Sequence, residues 1–247
     1  MKIKRAIIVG ATSGIGYATA KLLASNGWIV GIAGRREDLL LQIQHSHCGI
    51  VATQRIDITE DDATEGLMRL IHKVGGMDMY FHSSGIGYQN ASLEASKELV
   101  TVSTNVLGFT RMTDFAFEYF HNHPDTDGII AVISSIAGTK GLGVAPAYSA
   151  SKKYINTYLE SLAQICSIRS IKNIHILDIR PGFVKTPFLG DECHYPMQLD
   201  ADYVARCICK AIEHRKCVIT IDWRYRILVF LWHLIPRCIW TKMKIGS

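Results

Sequence analysis

Tyr148-Ser149-Ala150-Ser151-Lys152 sets a phenol and an ammonium four residues apart, on one face of a helix if the segment is helical. A phenol with a pKa of about 10 is a poor acid or base at neutral pH, but an adjacent ammonium stabilises the phenolate and moves it toward working range. That spacing is frequent by chance and alone describes a bland surface pair. Specificity comes from Ser134-Ser135, at the end of an apolar run thirteen residues before the tyrosine, after which Gly138, Gly141 and Gly143 mark a loop.

A second group of residues is suited to phosphate. Gly10-Ala11-Thr12-Ser13-Gly14-Ile15-Gly16 follows a first apolar run and opens a helical pattern, so the backbone can turn tightly and meet a pyrophosphate at a helix N-terminus. After the second run, where a dinucleotide site that takes NAD carries an acid for the ribose hydroxyls, the chain reads Ala33-Gly34-Arg35-Arg36. Two guanidinium groups there suit a 2′-phosphate. The alternative is a solvated helix start in which Arg35 and Arg36 pair with Glu37 and Asp38. Asp57, beyond the third run, either accepts from an adenine amino group or caps the next turn.

The elements that must position these groups are legible as periodicity. Short apolar runs at Ala6–Val9, Ile29–Ala33, Val51–Arg55, Met79–His82, Ile129–Ile133, Ile174–Asp178 and Val218–Ile221 are separated by segments of helical length. This predicts a Rossmann-type doubly wound parallel sheet of about seven strands in a three-layer α/β/α domain. With 247 residues, 48% of them hydrophobic, no repeat and no linker, one domain over 1–247 is expected. The net charge of +5 is too small to argue for nucleic acid. Arg224, Arg226, Arg237, Lys242 and Lys244 account for it, because the remaining 22 basic residues match 22 acidic ones. Seven scattered cysteines without CxxC spacing read as reduced thiols, with no metal site. No signal peptide pattern opens the chain, and a cytoplasmic location is expected.

Gly10-x-x-x-Gly14-x-Gly16, Asp57, Asn105, Ser135, Tyr148, Lys152 and Pro181-Gly182-Phe183-Val184-Lys185-Thr186, in this order, resemble the short-chain dehydrogenase/reductase family over nearly the full length. The resemblance implies hydride transfer between NADP(H) and a carbonyl or secondary alcohol, with NAD(H) still admitted. Tyr148 would be the general acid in reduction and Ser135 would hydrogen-bond the substrate oxygen. Lys152 would tune Tyr148 and hold the nicotinamide ribose, Asn105 would hold a water that relays protons to Lys152, and Thr186 would contact the carboxamide. The cofactor is expected along Gly10, Thr12, Ser13, Gly14, Ile15, Gly16, Arg35, Arg36, Asp57, Ile58, Gly85, Tyr148, Lys152, Pro181, Gly182, Val184 and Thr186. One departure stands out. The family's Asn-Asn-Ala-Gly is His82-Ser83-Ser84-Gly85 here, so serine and histidine must replace asparagine hydrogen bonds. That segment keeps a catalytically silent NADP(H)-binding sensor or scaffold as the competing reading.

Residues 187–200, punctuated by Gly190 and Pro196, are expected to form a substrate lid. Phe183, Phe188, Tyr195 and Met197 suggest an apolar substrate body, or equally core. Asp200 is a plausible N-cap for a helix with Tyr203, Val204, Cys207, Ile208 and Ala211 on its core-facing stripe. Residues 223–247 form an apolar and basic tail, too short and too interrupted to span a bilayer. Two readings stay open: packing against the domain or a partner in a homo-oligomer, or peripheral contact with an acidic membrane.

Overall fold

The computed structural model describes residues 3–187 and 197–244. The apolar runs form seven strands, β1 (Arg5–Val9), β2 (Ile29–Gly34), β3 (Ile50–Arg55), β4 (Met79–His82), β5 (Gly128–Ile133), β6 (Ile174–Arg180) and β7 (Val218–Thr220). All neighbours pair in parallel, in the order β3-β2-β1-β4-β5-β6-β7. The order reverses between β1 and β4, and in such sheets ligands bind in the crevice beyond the strand C-termini at that point.

Nine helices follow in chain order: α1 (Gly14–Ser25), α2 (Glu37–Ser46), α3 (Ala63–Val74), α4 (Ala95–Val102), α5 (Phe109–His121), α6 (Pro146–Ile168), α7 (Ala201–Glu213), α8 (Trp223–Leu234) and α9 (Arg237–Trp240), among the described residues. Successive side chains of a strand point to opposite faces, so a parallel sheet covered on both sides must be apolar at every position. In β1, Ala6 and Ile8 pack with Leu23 of α1, Leu40 of α2 and Val204 and Ile208 of α7. Ile7 and Val9 pack on the other face with Leu67 of α3, Met112 of α5 and Leu159 of α6. The three-layer expectation holds.

Asp200 caps α7 as expected, its Oδ1 accepting from the N–H groups of Asp202 and Tyr203. Val204, Ile208 and Ala211 are buried, but Tyr203 is 37% exposed. At about 100° of rotation per residue it falls on the flank of the stripe, which corrects its assignment to the core.

Gly182, beyond β6, is fixed by packing. A Cβ there would overlap the ring of Tyr225 from α8, which is wholly buried and whose hydroxyl accepts from Phe183 N at 3.1 Å and donates to Met197 O at 3.0 Å. Gly182→Ala is expected to lower the stability measured by denaturant unfolding by about 2–3 kcal/mol, the cost of forcing volume into a packed site; an unchanged midpoint would show that the ring is not held.

Candidate active site

Ser135 follows β5 in extended conformation and opens a 3-10 turn, Ile136–Gly138, by accepting from Ala137 N at 3.0 Å. The turn sits directly on α6, because a side chain at Gly138 would collide with Asn156 Oδ1 and the Lys152 backbone. Helix α6 starts at Pro146, where a missing N–H leaves nothing unpaired. The next N–H, that of Ala147, donates to Glu98 Oε2 of α4 at 2.9 Å, and Glu98 Oε1 accepts from Asn90 Nδ2 at 2.7 Å. Tyr148 is therefore carried by a helix start anchored from a distant segment.

One turn later Lys152 is buried, with Nζ 5.8 Å from the Tyr148 ring centre and donating to Ile133 O at 3.1 Å. Tyr148 hydrogen-bonds the Ser135 side chain; burial pushes its phenol above the usual range and that bond draws it back in part. Burial pulls the Lys152 ammonium down to about 8, and the Asp178 carboxylate opposes the shift. Asp178, also buried, accepts from Ser134 Oγ, from Asn156 Nδ2 at 3.0 Å and from Arg180 Nε at 2.7 Å. Asn156 Nδ2 also donates to Ser134 Oγ at 2.8 Å, linking α6 to the residue beside Ser135. A phenol, a hydroxyl and an ammonium meet here at the C-terminal edge of the sheet, an arrangement able to pass a proton to or from an oxygen.

Asn105 lies in a π-helical stretch, Ser103–Gly108, between α4 and α5. Its amide is fully engaged: Oδ1 accepts from Ile86 N at 2.9 Å, and Nδ2 donates to Ile86 O at 2.7 Å and Ser151 Oγ at 3.0 Å. A Cβ on Gly85 would stand 3.3 Å from Asn105 Oδ1 and 3.6 Å from Lys152 Nζ, so Gly85, Asn105 and Lys152 share one corner.

At the glycine turn, Gly10 has φ +89°, and a Cβ there would lie 2.5 Å from Ser84 N. Gly16 packs on the Gly10 carbonyl with no room for a side chain, and Thr186 Cγ2 would be 3.0 Å from a Cβ on Gly14. Arg36 Nη2 donates to Thr12 Oγ1 at 2.6 Å and Ser13 Oγ at 3.1 Å, which bends its guanidinium over the turn. Among the described residues no ion pair joins Arg35 or Arg36 to Glu37 or Asp38. Asp57 Oδ1 accepts from Thr59 N at 3.0 Å and Oγ1 at 2.7 Å, the capping arrangement. Burial raises its pKa, but those bonds and the charges of Arg35 and Arg55 outweigh it and hold the carboxyl low.

Other residues expected along the cofactor also make contacts within the fold. The Ile58 side chain is buried beside Gly108, Ile15 lies at the edge of the first core cluster, the Pro181 carbonyl accepts from Ile136 N at 3.1 Å, and Val184 pairs with Leu199. Phe183 and Met197 pack on the core, whereas Phe188 and Tyr195, with the middle of the expected lid, lie outside the described residues. No local pattern in the sequence points to Asn156 or Glu98, and for Asp178 the one signal is a carboxylate inside the apolar run of β6.

His82 is buried in the second core face, its Nδ1 2.7 Å from Tyr80 Oη and its ring edge-on to Phe109. Its Nε2 has no hydrogen-bond partner. Burial lowers the ring pKa to about 3, the Lys152 charge adds to this, and the Ser84 backbone opposes it. The ring is thus neutral and structural at neutral pH. Among the described residues there is no cluster suited to a metal ion and no helix long and apolar enough to cross a membrane.

The chain belongs to the short-chain dehydrogenase family, whose model matches residues 4–194. It is similar to an uncharacterized oxidoreductase of Myxococcus xanthus, 28% identical over 244 residues that cover 96% of this chain and 94% of that protein. It is also similar to the ipsdienol dehydrogenase of Ips pini, 31% identical over 195 residues, 73% of this chain and 74% of that protein. Among solved structures, a short-chain dehydrogenase/reductase of Burkholderia phymatum in complex with NAD superposes with a TM-score of 0.81 at 20% identity, covering 93% of this chain and 92% of that one. The alcohol dehydrogenase of Thermococcus sibiricus complexed with 5-hydroxy-NADP gives 0.79 at 21% identity, covering 91% and 98%. At these identities the structural likeness is one of fold.

The neutral His82 has a consequence in acid. An unfolded histidine takes up a proton below about 6.5, whereas the native ring does so only near 3, so stability falls as pH drops through this window. Between pH 7 and pH 5 the loss from this residue is expected to be about 2 kcal/mol. Denaturant unfolding at both pH values should show this part of the decline removed in His82→Asn; an identical decline in both proteins would mean that the ring is protonated in the native state.

Proposed function

We propose that the protein is an NADP(H)-dependent oxidoreductase that interconverts an apolar carbonyl compound and its secondary alcohol, with Tyr148 as general acid in reduction and general base in oxidation. The observation that carries this reading is the convergence of Ser135, Tyr148 and a buried Lys152 at the C-terminal edge of the sheet. The cradle fits a dinucleotide. Helix α1 starts with no acidic residue in its first turn and no side-chain cap from Ser13, so its N–H groups are available to a phosphate. Arg35 and Arg36 suit the 2′-phosphate of NADP(H).

When bound, the nicotinamide supplies or accepts the hydride. The chain's own residues handle the proton and the oxygen. In reduction the Tyr148 phenol gives its proton to the substrate oxygen, which Ser135 Oγ holds by a hydrogen bond. The positive charge of Lys152 stabilises the phenolate left behind, and Asp178 favours that charged form. Asn105 acts through the backbone, holding the Gly85-Ile86 segment beside Lys152. The relative named as ipsdienol dehydrogenase supports an alcohol as the substrate class.

The test is NADPH oxidation against a panel of ketones and aldehydes. Tyr148→Phe is expected to lower kcat by about a thousandfold with NADPH binding retained; undiminished turnover would remove Tyr148 from the mechanism. Tight NADPH binding with no turnover on any compound would favour the silent sensor. Replacing Arg35 and Arg36 together by serine is expected to raise the Kd for NADPH by about a hundredfold and leave that for NADH almost unchanged, since charge-assisted bonds are each worth about 1.5–3 kcal/mol; equal losses for both nucleotides would end the 2′-phosphate assignment.

A further inference from the structure

Helix α8 is apolar on two opposite faces. Tyr225, Leu228 and Val229 turn inward onto the core, and Trp232 packs edge-on against Trp240 of α9. On the other side Trp223, Ile227, Phe230 and Leu234 fall at i, i+4, i+7 and i+11, a single stripe in which each residue is between 51% and 67% exposed. After Pro236 the pattern repeats on α9: Trp240 is buried and donates Nε1 to Gly141 O at 2.7 Å, while Ile239 is 53% exposed. Among the described residues from Trp223 onward, the exposed charges beside this surface are all positive. Arg226, Arg237, Lys242 and Lys244 are exposed, no acidic residue occurs from Trp223 to Ser247, and nearby Asp222 is committed to Arg224 by bonds of 2.9 and 3.0 Å.

We propose that the outer face of α8 and α9 docks in the plane of an anionic lipid surface. A helix of twelve residues is about 18 Å long, well short of a bilayer's hydrocarbon core, so it lies flat. An anionic interface offers this face both things it lacks, an apolar layer for the stripe and counter-charge for the cations beside it. A second copy of the chain does not: a two-fold contact sets the same patch against itself and brings like cations together. Lys140 Nζ donates to Ile235 O at 2.9 Å, and Trp240 reaches Gly141, so the docking face is fastened to the loop between Ser135 and Tyr148. Docking therefore turns that loop toward the lipid. The docking argument does not depend on the catalytic reading of those two residues.

The test is co-sedimentation of the full chain with vesicles of phosphatidylcholine alone and of an equimolar mixture with phosphatidylglycerol. Partitioning at least about tenfold stronger into the anionic vesicles, and weakened by added salt, is expected. Phe230→Ser with Leu234→Ser should abolish it. Arg237→Gln with Lys242→Gln should weaken it about thirtyfold, each cation near the surface being worth about fivefold. All four side chains are exposed, and an unchanged circular dichroism melt checks that both variants fold. No sedimentation with either vesicle, or equal binding to both, would overturn the proposal. So would light scattering in which the Phe230/Leu234 variant converts an oligomer to a monomer while the parent protein ignores vesicles, since the face would then be a subunit interface.

Discussion

An ammonium buried at the end of a sheet is the constraint on which the candidate site depends. Lys152 is only 5% exposed, and an isolated ammonium withdrawn from water costs several kcal/mol unless it finds partners. The Ile133 carbonyl supplies one, and the Asp178 carboxylate supplies a charge of opposite sign. Asp178 is itself buried and needs Ser134, Asn156 and Arg180. These partners come from the end of β5, from β6 and from α6, so satisfying one charge fixes three elements against one another. Ser135 and Tyr148 inherit their positions from that arrangement.

The cofactor side follows a different logic, one of exclusion of volume. Gly10 and Gly16 meet the Ser83-Ser84 segment so closely that a side chain is barred from both glycine positions. The serine backbone lies against Gly10, and the histidine turns into the core beside Tyr80 and Phe109 instead of toward the crevice.

Much of this was legible in the chain itself. Parallel strands covered on both faces read as unbroken apolar runs, and the seven runs coincide with the seven strands to within two residues at either end. The Tyr148–Lys152 spacing reports a helical face directly. Asp178, Asn156 and Glu98 were not legible because they act across 44, 22 and 49 residues of chain, where no local period links donor and acceptor. Phe183 and Met197 illustrate a second limit, since an apolar side chain lining a pocket and one packed in a core look alike in sequence. In α8 a nearly continuous apolar run conceals two stripes of helical period, and only the fold reveals which one is covered.

Tyr225 binds Phe183 N and Met197 O with the same hydroxyl, and beside it Lys185 N donates to Leu199 O while Leu199 N donates to Phe183 O. The two feet of the segment that the sequence marks as a substrate lid are thus clamped together by the protein body. Loss of that one hydroxyl would loosen both feet at once, so a single position on α8 governs how the start of α7 is tethered to the end of β6.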